Sequence, residues 1–232
     1  MRINKYIARS GYTSRRKADE LIFEKRVTIN NQLVEKPGSE ANDKDVVKVD
    51  GKIIKLENFV YYKLNKPVGY ISSNYDPHNP LDLKKLVDIK QRVYPAGRLD
   101  KDSHGLILMT NDGNLVNKII HPKNKINKEY IVRVSELLDS KQIKKIQKPL
   151  NIGNKEITSG ADIKLIDKNT KTYKVIIHQG FNRQIRRMFQ VFNIKVLDLK
   201  RVAIGKIKLL NLKEGNFIKL NGEELSYLKT LK

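Results

Sequence analysis

The apolar residues of this chain fall into short segments of two periods, and this pattern constrains the fold more than any other feature. Apolar residues three positions apart, as at Ala18 and Leu21, indicate a short helix. Strict alternation, as at Val60, Tyr62 and Leu64, indicates a strand with one buried face. Helices and strands are mixed without regular alternation, which favours an α+β fold with a mainly antiparallel sheet.

The apolar pattern restarts near residue 58, which predicts two domains, residues 1–57 and residues 58–232. The first has the pattern of two helices followed by short strands. Ser14 is a suitable N-cap for the second helix, and Val27–Ile29 and Val47–Val49 predict strands.

The second part predicts a longer series of elements. In chain order they are a strand ending at Lys66, a loop at residues 75–80, a short helix at 81–87, a strand at 106–109, a helix at 113–121, a strand at 130–134, a helix from Ser140, a hairpin of 163–166 with 173–178, a helix at 183–192, strands near 195–201 and 206–210, and a last helix near 223–231.

The charge balance points to a polyanionic partner. The chain has 47 Lys and Arg against 25 Asp and Glu, a net charge of +22, and such an excess repels itself in a compact fold. Nucleic acid is the first candidate. An anionic membrane surface is the second, but no basic helix carries the broad apolar face that it requires.

Other classes are disfavoured by what the sequence lacks. Without cysteine there is no disulfide or thiolate zinc site, and the four histidines are scattered, so we expect no metal site. No apolar run approaches the ~20 residues of a membrane span, and the charged N-terminus is unlike a signal peptide. We therefore expect a soluble, cytoplasmic protein.

Three cations, Arg15, Arg16 and Lys17, occupy the first turn of the second predicted helix. Cations there oppose the helix dipole, at a cost of roughly 0.3–1 kcal/mol each. This unfavourable position favours phosphate binding over a merely solvated run of charge.

The segment Gly97-Arg98-Leu99-Asp100-Lys101 places a carboxylate between cations in a loop bracketed by Gly97 and Gly105. Neighbouring positive charge favours the charged form of a carboxylate, and a charged Asp100 could act as a nucleophile or an electrostatic stabiliser. The alternative is an ordinary turn with surface ion pairs.

Two further segments carry candidate residues. Gly180-Phe181-Asn182-Arg183-Gln184-Ile185-Arg186-Arg187 crowds cations at a helix N-terminus, where an arginine could pair with phosphate or with Asp100. Lys128-Glu129-Tyr130 places a tyrosine in a strand; such a tyrosine is commonly part of the core, with its hydroxyl satisfied at the edge.

Taken together and in this order, GRLDKDSHGL, KEY, QGFNRQIRRM and RVAIGKIKL resemble the motif series of the RsuA/RluB/RluF group of pseudouridine synthases, most closely the RluF branch. The N-terminal RINKYIARSGYTSRRKADELI resembles the small RNA-binding module, found also in a small-subunit ribosomal protein, that precedes the catalytic domain in these enzymes. The resemblance covers nearly the whole chain.

The resemblance implies a role for individual residues. Asp100 corresponds to the catalytic aspartate, Tyr130 to the tyrosine that stacks on the base and assists proton transfer, and Arg186 to the cation paired with the aspartate. Arg98 corresponds to the residue that fills the RNA stack when the target base leaves it, and Leu209 to an apolar residue beneath the pocket. A single catalytic carboxylate distinguishes such a site from that of glycosidases, which use a pair.

The resemblance also implies the partner. We expect an isomerase that acts on a uridine in a folded stem-loop or junction of ribosomal RNA, the large-subunit RNA in view of the RluF-like motifs, as a monomer without cofactor. The RNA-contacting residues that we expect, besides Arg98, are Arg2, Lys5, Arg9, Arg15, Arg16, Lys17, Asn182, Arg183 and Arg187.

Three alternatives remain open from the sequence. The chain could act on small-subunit RNA, or it could bind RNA or the ribosome without catalysis, against which the intact Asp100, Tyr130 and Arg186 argue. The helix pair around Ser14 could also belong to a DNA-binding helix-turn-helix, although nothing in the chain resembles a dimerisation segment.

Overall fold

The computed structural model describes residues 1–73 and 81–231, so the loop predicted at residues 75–80 lies outside the described residues. The described residues form two compact units. The first comprises Met1–Val60 with Ile89–Val93, and the second comprises the described residues within Tyr61–Asp88 and Tyr94–Lys232.

The first unit contains two helices and a small antiparallel sheet. Its elements are α1 (Ile3–Arg9), α2 (Arg15–Phe23), β1 (Val27–Ile29), β2 (Gln32–Leu33), β3 (Val47–Val49) and β4 (Lys52–Ile54), with strand order β2-β1-β3-β4. The predicted cap is confirmed, since the side chain of Ser14 accepts a hydrogen bond from the backbone N–H of Lys17. Ile3, Ile7 and Ile22 are buried in its core.

The second unit is built on a large sheet with helices around it. Its elements are β5 (Tyr61–Lys66), β6 (Tyr94–Pro95), β7 (His104–Thr110), α3 (Gly113–Ile120), β8 (Lys128–Val134), α4 (Ser140–Ile146), β9 (Asp162–Asp167), β10 (Thr172–Ile177), α5 (Gln184–Gln190), β11 (Val196–Ile204), β12 (Ile207–Lys208), β13 (Phe217–Lys219) and α6 (Gly222–Thr230).

The strand order of this sheet is β13-β5-β7-β11-β8-β10-β9, with β6 beside β7 and β12 beside β11. The β7–β11 pair is parallel, and the other described pairs of the sheet are antiparallel. The α+β class with a mainly antiparallel sheet is therefore confirmed. None of the helices described in residues 1–73 and 81–231 is long and apolar enough to cross a membrane.

The prediction that β5 buries one face is wrong. Lys63 and Asn65, on the face expected to be exposed, are buried together with Tyr62 and Leu64. Their donor groups have partners: Lys63 pairs with Glu224 of α6 at 2.6 Å, and the side-chain N–H of Asn65 donates to a backbone carbonyl at 2.7 Å, whereas the Asn65 side-chain oxygen is buried without a partner among the described residues. A strand covered on both faces can carry polar residues when their donor groups are paired in this way.

The helix predicted at residues 81–87 is only a 3₁₀ turn, Leu83–Lys85. Backbone groups that a longer helix would use pair instead with the preceding segment. Ile71 donates its N–H to the carbonyl oxygen of Leu81, and Leu83 donates to that of Ser73. This pairing holds residues 71–73 beside the turn.

The parallel pairing of β7 with β11 requires a glycine at position 105. Gly105 has φ +104°, and a Cβ there would lie 2.3 Å from the backbone oxygen of Arg201. No side chain could be accommodated at that distance. Gly105 thus lets β7, which begins directly after the Asp100 loop, lie close against β11.

Candidate active site

A cleft of about 650 Å³ opens over the central strands of the second unit. Side chains two residues apart on a strand share a face, so Lys128 and Tyr130 of β8 both face the cleft, as do Leu199 and Arg201 of β11. Tyr130 lies directly opposite Arg201 in the register of these two strands. The remaining walls are the Asp100 loop, residues 71–73 and the segment that leads into α5.

Every backbone carbonyl from Arg98 to Asp102 accepts a hydrogen bond from within the unit. In order along the loop, the donors are Arg201 Nη1 (3.3 Å), Ser72 Oγ (2.7 Å), the N–H of Ser103 (3.1 Å), the N–H of Gly69 (2.8 Å) and Arg186 Nη2 (2.7 Å). A loop held at each successive residue presents its side chains in a fixed geometry, which a catalytic constellation requires.

Asp100 projects from this loop into the cleft with its side chain 28% exposed. Among the described residues that line the cleft, it is the one acidic side chain. Its Oδ2 lies 3.9 Å from Nη1 of Arg183. The structure thus presents a partly exposed carboxylate beside a cation, as the sequence led us to expect.

Arg183 makes its stronger contact with a second carboxylate, that of Asp102. Its Nη1 and Nη2 donate to the two Asp102 oxygens at 2.9 Å each. The hydrogen bond from Arg183 holds the pKa of Asp102 below its usual value, and the same bond raises the pKa of Arg183. Because both oxygens of Asp102 are engaged, Asp100 is the carboxylate that remains accessible to a ligand in the cleft.

Arg186, expected to pair with Asp100, contacts Asp102 instead. Its Nη2 donates to the Asp102 carbonyl, its Nη1 donates to the carbonyl of Val196 at 2.9 Å, and its Nε lies 3.3 Å from Asp102 Oδ2. The loop turns after Asp100, so the next carboxylate faces α5. Burial lowers the pKa of Arg186. In this geometry Arg186 holds the loop, while Arg183 is the arginine ion-paired with Asp100.

Tyr130 is 7% exposed and lines the cleft. Its hydroxyl forms no hydrogen bond with the residues of 1–73 and 81–231. Tyr130 is therefore unlike the alternative expected from the sequence, a core tyrosine whose hydroxyl is hydrogen-bonded at the edge of the sheet. The arrangement suits a ring that contacts a ligand and a hydroxyl that remains free to bond to it.

Sequence reasoning missed two residues that hold the loop. Ser72 bonds both backbone groups of Leu99 through its hydroxyl; a single serine gives no signal of this in the sequence. Arg201, fully buried in β11, donates to the carbonyls of Leu106 and Arg98. It belongs to the segment RVAIGKIKL, so the motif that could have pointed to it was present, but the sequence predicted no role for this residue.

Lys66 was also missed, as its position before Pro67 suggested only the end of a strand. It is completely buried, and its ammonium donates to the carbonyls of Pro67 and Tyr70 at 2.9 and 2.7 Å. Burial lowers its pKa to about 8, against the opposing influence of Asp100 and Asp102. It therefore lies electrostatically close to the carboxylates of the loop.

The remaining predicted residues of this unit differ in their surroundings. Arg98 is exposed at the cleft, Asn182 lines the cleft, and Leu209 is buried in the core cluster.

Arg187, also predicted to bind RNA, donates hydrogen bonds to the carbonyls of Ile152, Gly153 and Asn182 and pairs with the carboxylate of Glu156. Its donors are used within the protein, which favours a role in holding residues 152–156 over RNA contact.

The cations predicted to bind RNA in the first unit lie on or beside its two helices. Arg2 precedes α1 and is exposed, and Lys5 lies on α1. The guanidinium of Arg9 lies 4.5 Å from the ring centre of Phe59. At the start of α2, Lys17 pairs with Glu20 at 2.6 Å.

Arg15 and Arg16 differ from Arg9 and Lys17. Both are exposed, and neither forms a side-chain hydrogen bond or ion pair within the described part of the chain. Their guanidinium groups are therefore accessible to a phosphate. Within residues 1–73 and 81–231, no cluster of three His, Asp or Glu side chains is arranged to hold a metal ion.

Both units of the chain contain residues that match a known protein family. Residues 60–191 match the family described as RNA pseudouridylate synthase, and residues 1–47 match the S4 domain. A crystal structure of a pseudouridylate synthase has a TM-score of 0.72 and 27% identity, with 100% of each chain covered.

Named relatives are similar over nearly the whole chain. An uncharacterised RNA pseudouridine synthase of Aquifex aeolicus (strain VF5) is 37% identical over 98% of this chain and 93% of that protein. Ribosomal large subunit pseudouridine synthase B of Bacillus subtilis (strain 168) is 36% identical over 99% of this chain and 96% of that protein. Dual-specificity RNA pseudouridine synthase RluF of Escherichia coli (strain K12) is 38% identical over 97% of this chain and 77% of that protein.

Proposed function

The chain belongs to the RNA pseudouridylate synthase family, and we propose that it converts a specific uridine of large-subunit ribosomal RNA to pseudouridine with Asp100 as the nucleophile. The observation that carries the assignment of Asp100 is the loop geometry. A partly exposed carboxylate projects into the cleft from a loop whose five successive carbonyls are all hydrogen-bonded.

The proposed reaction breaks one bond of the nucleoside and makes another. The Asp100 carboxylate bonds to C1′ of the ribose as the C1′–N1 bond breaks, and the electron pair of that bond stays on the base. The base turns, C5 bonds to C1′, and the carboxylate leaves. C5 loses its proton and N1 gains one, so uridine and pseudouridine have the same atoms, and no cofactor or metal takes part.

Other residues of the cleft have proposed roles in binding and proton transfer. Tyr130 stacks on the base, and its unpaired hydroxyl assists the removal of the C5 proton. The exposed Arg98 fills the space in the RNA stack from which the nucleotide has been extruded, at a cost of a few kcal/mol. Arg183, Asn182 and Arg186 orient the nucleotide and the loop, and Leu209 packs below the cleft.

We assign residues 1–57 to RNA binding and residues 58–232 to catalysis. The exposed Arg15 and Arg16, with Arg2, Lys5, Arg9 and Lys17, would contact a phosphate backbone near a stem-loop or junction. A monomer suffices for this scheme, since one chain supplies both the cleft and the cations. A ribosomal RNA substrate would place the enzyme in the cytoplasm.

Two observations support the choice of large-subunit RNA: the name of the Bacillus subtilis relative, ribosomal large subunit pseudouridine synthase B, and the RluF-like motifs of the sequence. The relatives named for synthase B and for RluF resemble this chain to nearly the same extent, so the exact target is to be measured. Pseudouridines should be mapped in both ribosomal RNAs from cells with and without the gene, and from cells that carry only Asp100→Asn.

The expected result is one or more sites in large-subunit RNA that disappear with the gene and do not return with Asp100→Asn. Loss of sites from small-subunit RNA alone would show that small-subunit RNA, and not large-subunit RNA, is the substrate. An unchanged map in both RNAs would remove the proposed activity on ribosomal RNA.

A further inference from the structure

Two cations, Lys128 and Arg201, lie on the sheet face that forms the floor of the cleft. Neither forms an ion pair within residues 1–73 and 81–231. Lys128 is half-buried, and its ammonium has one described hydrogen bond, to the carbonyl of His178 at 3.3 Å. Arg201 is 2% exposed, and its Nη2 is buried without a hydrogen-bond partner.

This arrangement is costly in the free protein. A buried cation without a counter-charge loses several kcal/mol of hydration free energy, and two like charges add repulsion. Burial and then the positive charge of Arg201 lower the pKa of Lys128 to about 8. No carboxylate of the described residues forms an ion pair with Lys128, whereas Asp100 lies beside Arg183. The cleft therefore has a carboxylate in its wall and a lysine without an ion-pair partner on its floor.

The neighbours of Lys128 indicate which kind of ligand would supply the missing negative charge. Tyr130 is two residues along the same strand, roughly 7 Å away at strand spacing, and the apolar Ile177 lies directly opposite Lys128 on β10. A phosphate would gain nothing from an aromatic ring and an isoleucine. A flat base that stacks on the ring would place a carbonyl oxygen near the ammonium.

We propose that Lys128 donates a hydrogen bond to a carbonyl oxygen of the target uracil and stabilises the negative charge on the detached base. This inference rests on the proposed function. When the C1′–N1 bond breaks, the electron pair delocalises from N1 onto the carbonyl oxygens. A fixed cation at such an oxygen stabilises the transition state more than the neutral uridine.

The charge is needed only until the second bond forms. C5 of the anionic base attacks C1′ as the Asp100 carboxylate leaves, and loss of the C5 proton with protonation of N1 then gives a neutral base. Lys128 keeps its proton throughout, so it acts as an electrostatic and hydrogen-bonding group and not as the acid or base.

The first test compares Lys128→Met with Lys128→Arg, using single-turnover pseudouridine formation in a large-subunit RNA fragment that wild-type enzyme modifies. Loss of one donor to a developing anion lowers rates by about 10²–10³-fold. We expect such a loss for the methionine variant, with RNA affinity nearly unchanged, and a much smaller loss for the arginine variant.

Lys174→Met is the matched control. Lys174 lies on β10 facing away from the cleft, and it pairs with Glu129 at 2.9 Å. The substitution removes the same charge from the neighbouring strand without touching the proposed ligand, so the rate should be close to wild type. Equal losses in the Lys128→Met and Lys174→Met variants would overturn the proposal, because they would show a general effect of charge. Thermal unfolding of each variant checks that the fold is kept.

The second test is the pH profile, which a merely structural lysine would not change. The titratable and charged groups that line the cleft with Lys128 are Tyr130 on β8, Arg201 on β11, Arg98, Asp100 and Lys101 of the loop, and Arg183. Of His178, the backbone carbonyl contacts the ammonium. With a pKa of about 8, Lys128 is charged below that pH and neutral above it. The wild-type rate should therefore fall as pH rises through about 8, and the fall should vanish in Lys128→Arg, whose guanidinium stays charged. A fall of the same size and midpoint in Lys128→Arg would assign it to another group and overturn the proposal.

The third test asks whether Lys128 contacts a carbonyl oxygen of the target base directly. Target RNA is made with 4-thiouridine or 2-thiouridine at the modified position, because sulfur is a poorer acceptor than oxygen. One of the two substitutions should slow wild type and have little further effect in Lys128→Met, which identifies the contacted oxygen. Additive effects for both thio-substituted RNAs would contradict a direct contact.

The controls separate failure of this inference from failure of the proposed function. A wild-type enzyme that forms no pseudouridine in ribosomal RNA would remove the proposed function. A fully active Lys128→Met variant, beside an active wild type, would remove only the role of Lys128.

Discussion

The hydroxyl of Ser72 makes two hydrogen bonds with the backbone of Leu99, accepting from its N–H at 2.9 Å and donating to its carbonyl oxygen at 2.7 Å. Leu99 directly precedes Asp100. A side chain from a different segment of the unit thus fixes the peptide groups on which the position of the carboxylate depends. Catalysis that depends on near-attack geometry is sensitive to displacements of about 1 Å.

Replacing Ser72 by alanine should therefore lower the rate more than the affinity. Ser72→Ala leaves both backbone groups of Leu99 without this partner, and we expect kcat to fall by about 10- to 100-fold and stability by about 1–3 kcal/mol. RNA affinity should stay near wild type, because the cations that bind phosphates are unchanged. Ser72→Thr, which keeps the hydroxyl, should retain most of the rate. An alanine variant with normal kcat would show that the loop keeps its geometry without Ser72.

Asp100→Asn should abolish pseudouridine formation while RNA binding is kept. The amide has nearly the size of the carboxylate but lacks the charge and the nucleophilicity, and the phosphate-binding cations remain in place. Product formation and RNA affinity should be measured on the same preparation. Turnover within tenfold of wild type would rule Asp100 out as the nucleophile.

Tyr130→Phe keeps the ring and removes a hydroxyl that has no partner in the described part of the protein. If the hydroxyl takes part in proton transfer, the rate should drop on the order of 10²-fold with little change in binding. The folded state should lose little stability, since no hydrogen bond among the described residues is broken. A near-normal rate would restrict Tyr130 to stacking.

The class of fold and the position of the Asp100 loop between two strands were predictable because they depend on local pattern and motif. Ser14 caps α2 as predicted, and the loop that carries Asp100 lies between β6 and β7. The apolar pattern does not show whether the polar face of a strand is covered as well. Lys63 and Asn65 are polar, so β5 was expected to expose them, and only the distant α6 and the segment before β13 account for their burial.

The partners of the site residues were harder to predict, because they depend on long-range packing. Arg183 and Arg186 are three residues apart at the start of α5, and sequence spacing cannot say which of them faces Asp100. Arg183 precedes the first turn of α5 with a left-handed φ of +50°, and its guanidinium contacts Asp102 and Asp100. Contacts such as Ser72 with Leu99 or Arg201 with Arg98 join segments far apart in the chain, which no periodicity reveals.

Lys66 should make stability depend on pH in a predictable direction. Its pKa in the folded protein, about 8, is below the ordinary value of 10.5, so between these pH values the unfolded chain holds the proton more often. The free energy of unfolding should therefore rise as pH increases through this window. Below pH 8, Lys66 is charged in both states, and the full free-energy cost of burying its charge lowers the stability of the folded protein. Lys66→Met carries no charge at this position, so its free energy of unfolding should lack this rise with pH.

The measurement is the free energy of unfolding of wild type minus that of Lys66→Met, from about pH 7 to about pH 10. The variant loses two hydrogen bonds to carbonyls at every pH, so the slope of the difference and not its sign is informative. A difference that is flat with pH would mean that Lys66 titrates near its ordinary value in the folded protein.

Charge reversal at the start of α2 should weaken RNA binding without weakening the helix. The exposed Arg15 and Arg16 and the neighbouring Lys17 occupy the N-terminal turn, where acids interact favourably with the helix dipole. The cap formed by Ser14 uses the backbone N–H of Lys17 and survives the substitution. The triple variant Arg15→Glu, Arg16→Glu, Lys17→Glu should therefore unfold at an equal or higher temperature than wild type.

RNA binding should respond in the opposite direction. Every phosphate that the protein no longer neutralises lowers the slope of log K against log salt by roughly 0.7–0.9, so the triple variant should bind more weakly and with less salt dependence. The control reverses the exposed lysines Lys36, Lys44 and Lys55 of the same unit, which changes net charge equally. Matching slopes and affinities for the two triple variants would show that the α2 cations act only through net charge, whereas a larger loss for the α2 variant locates the phosphate-binding site at that helix.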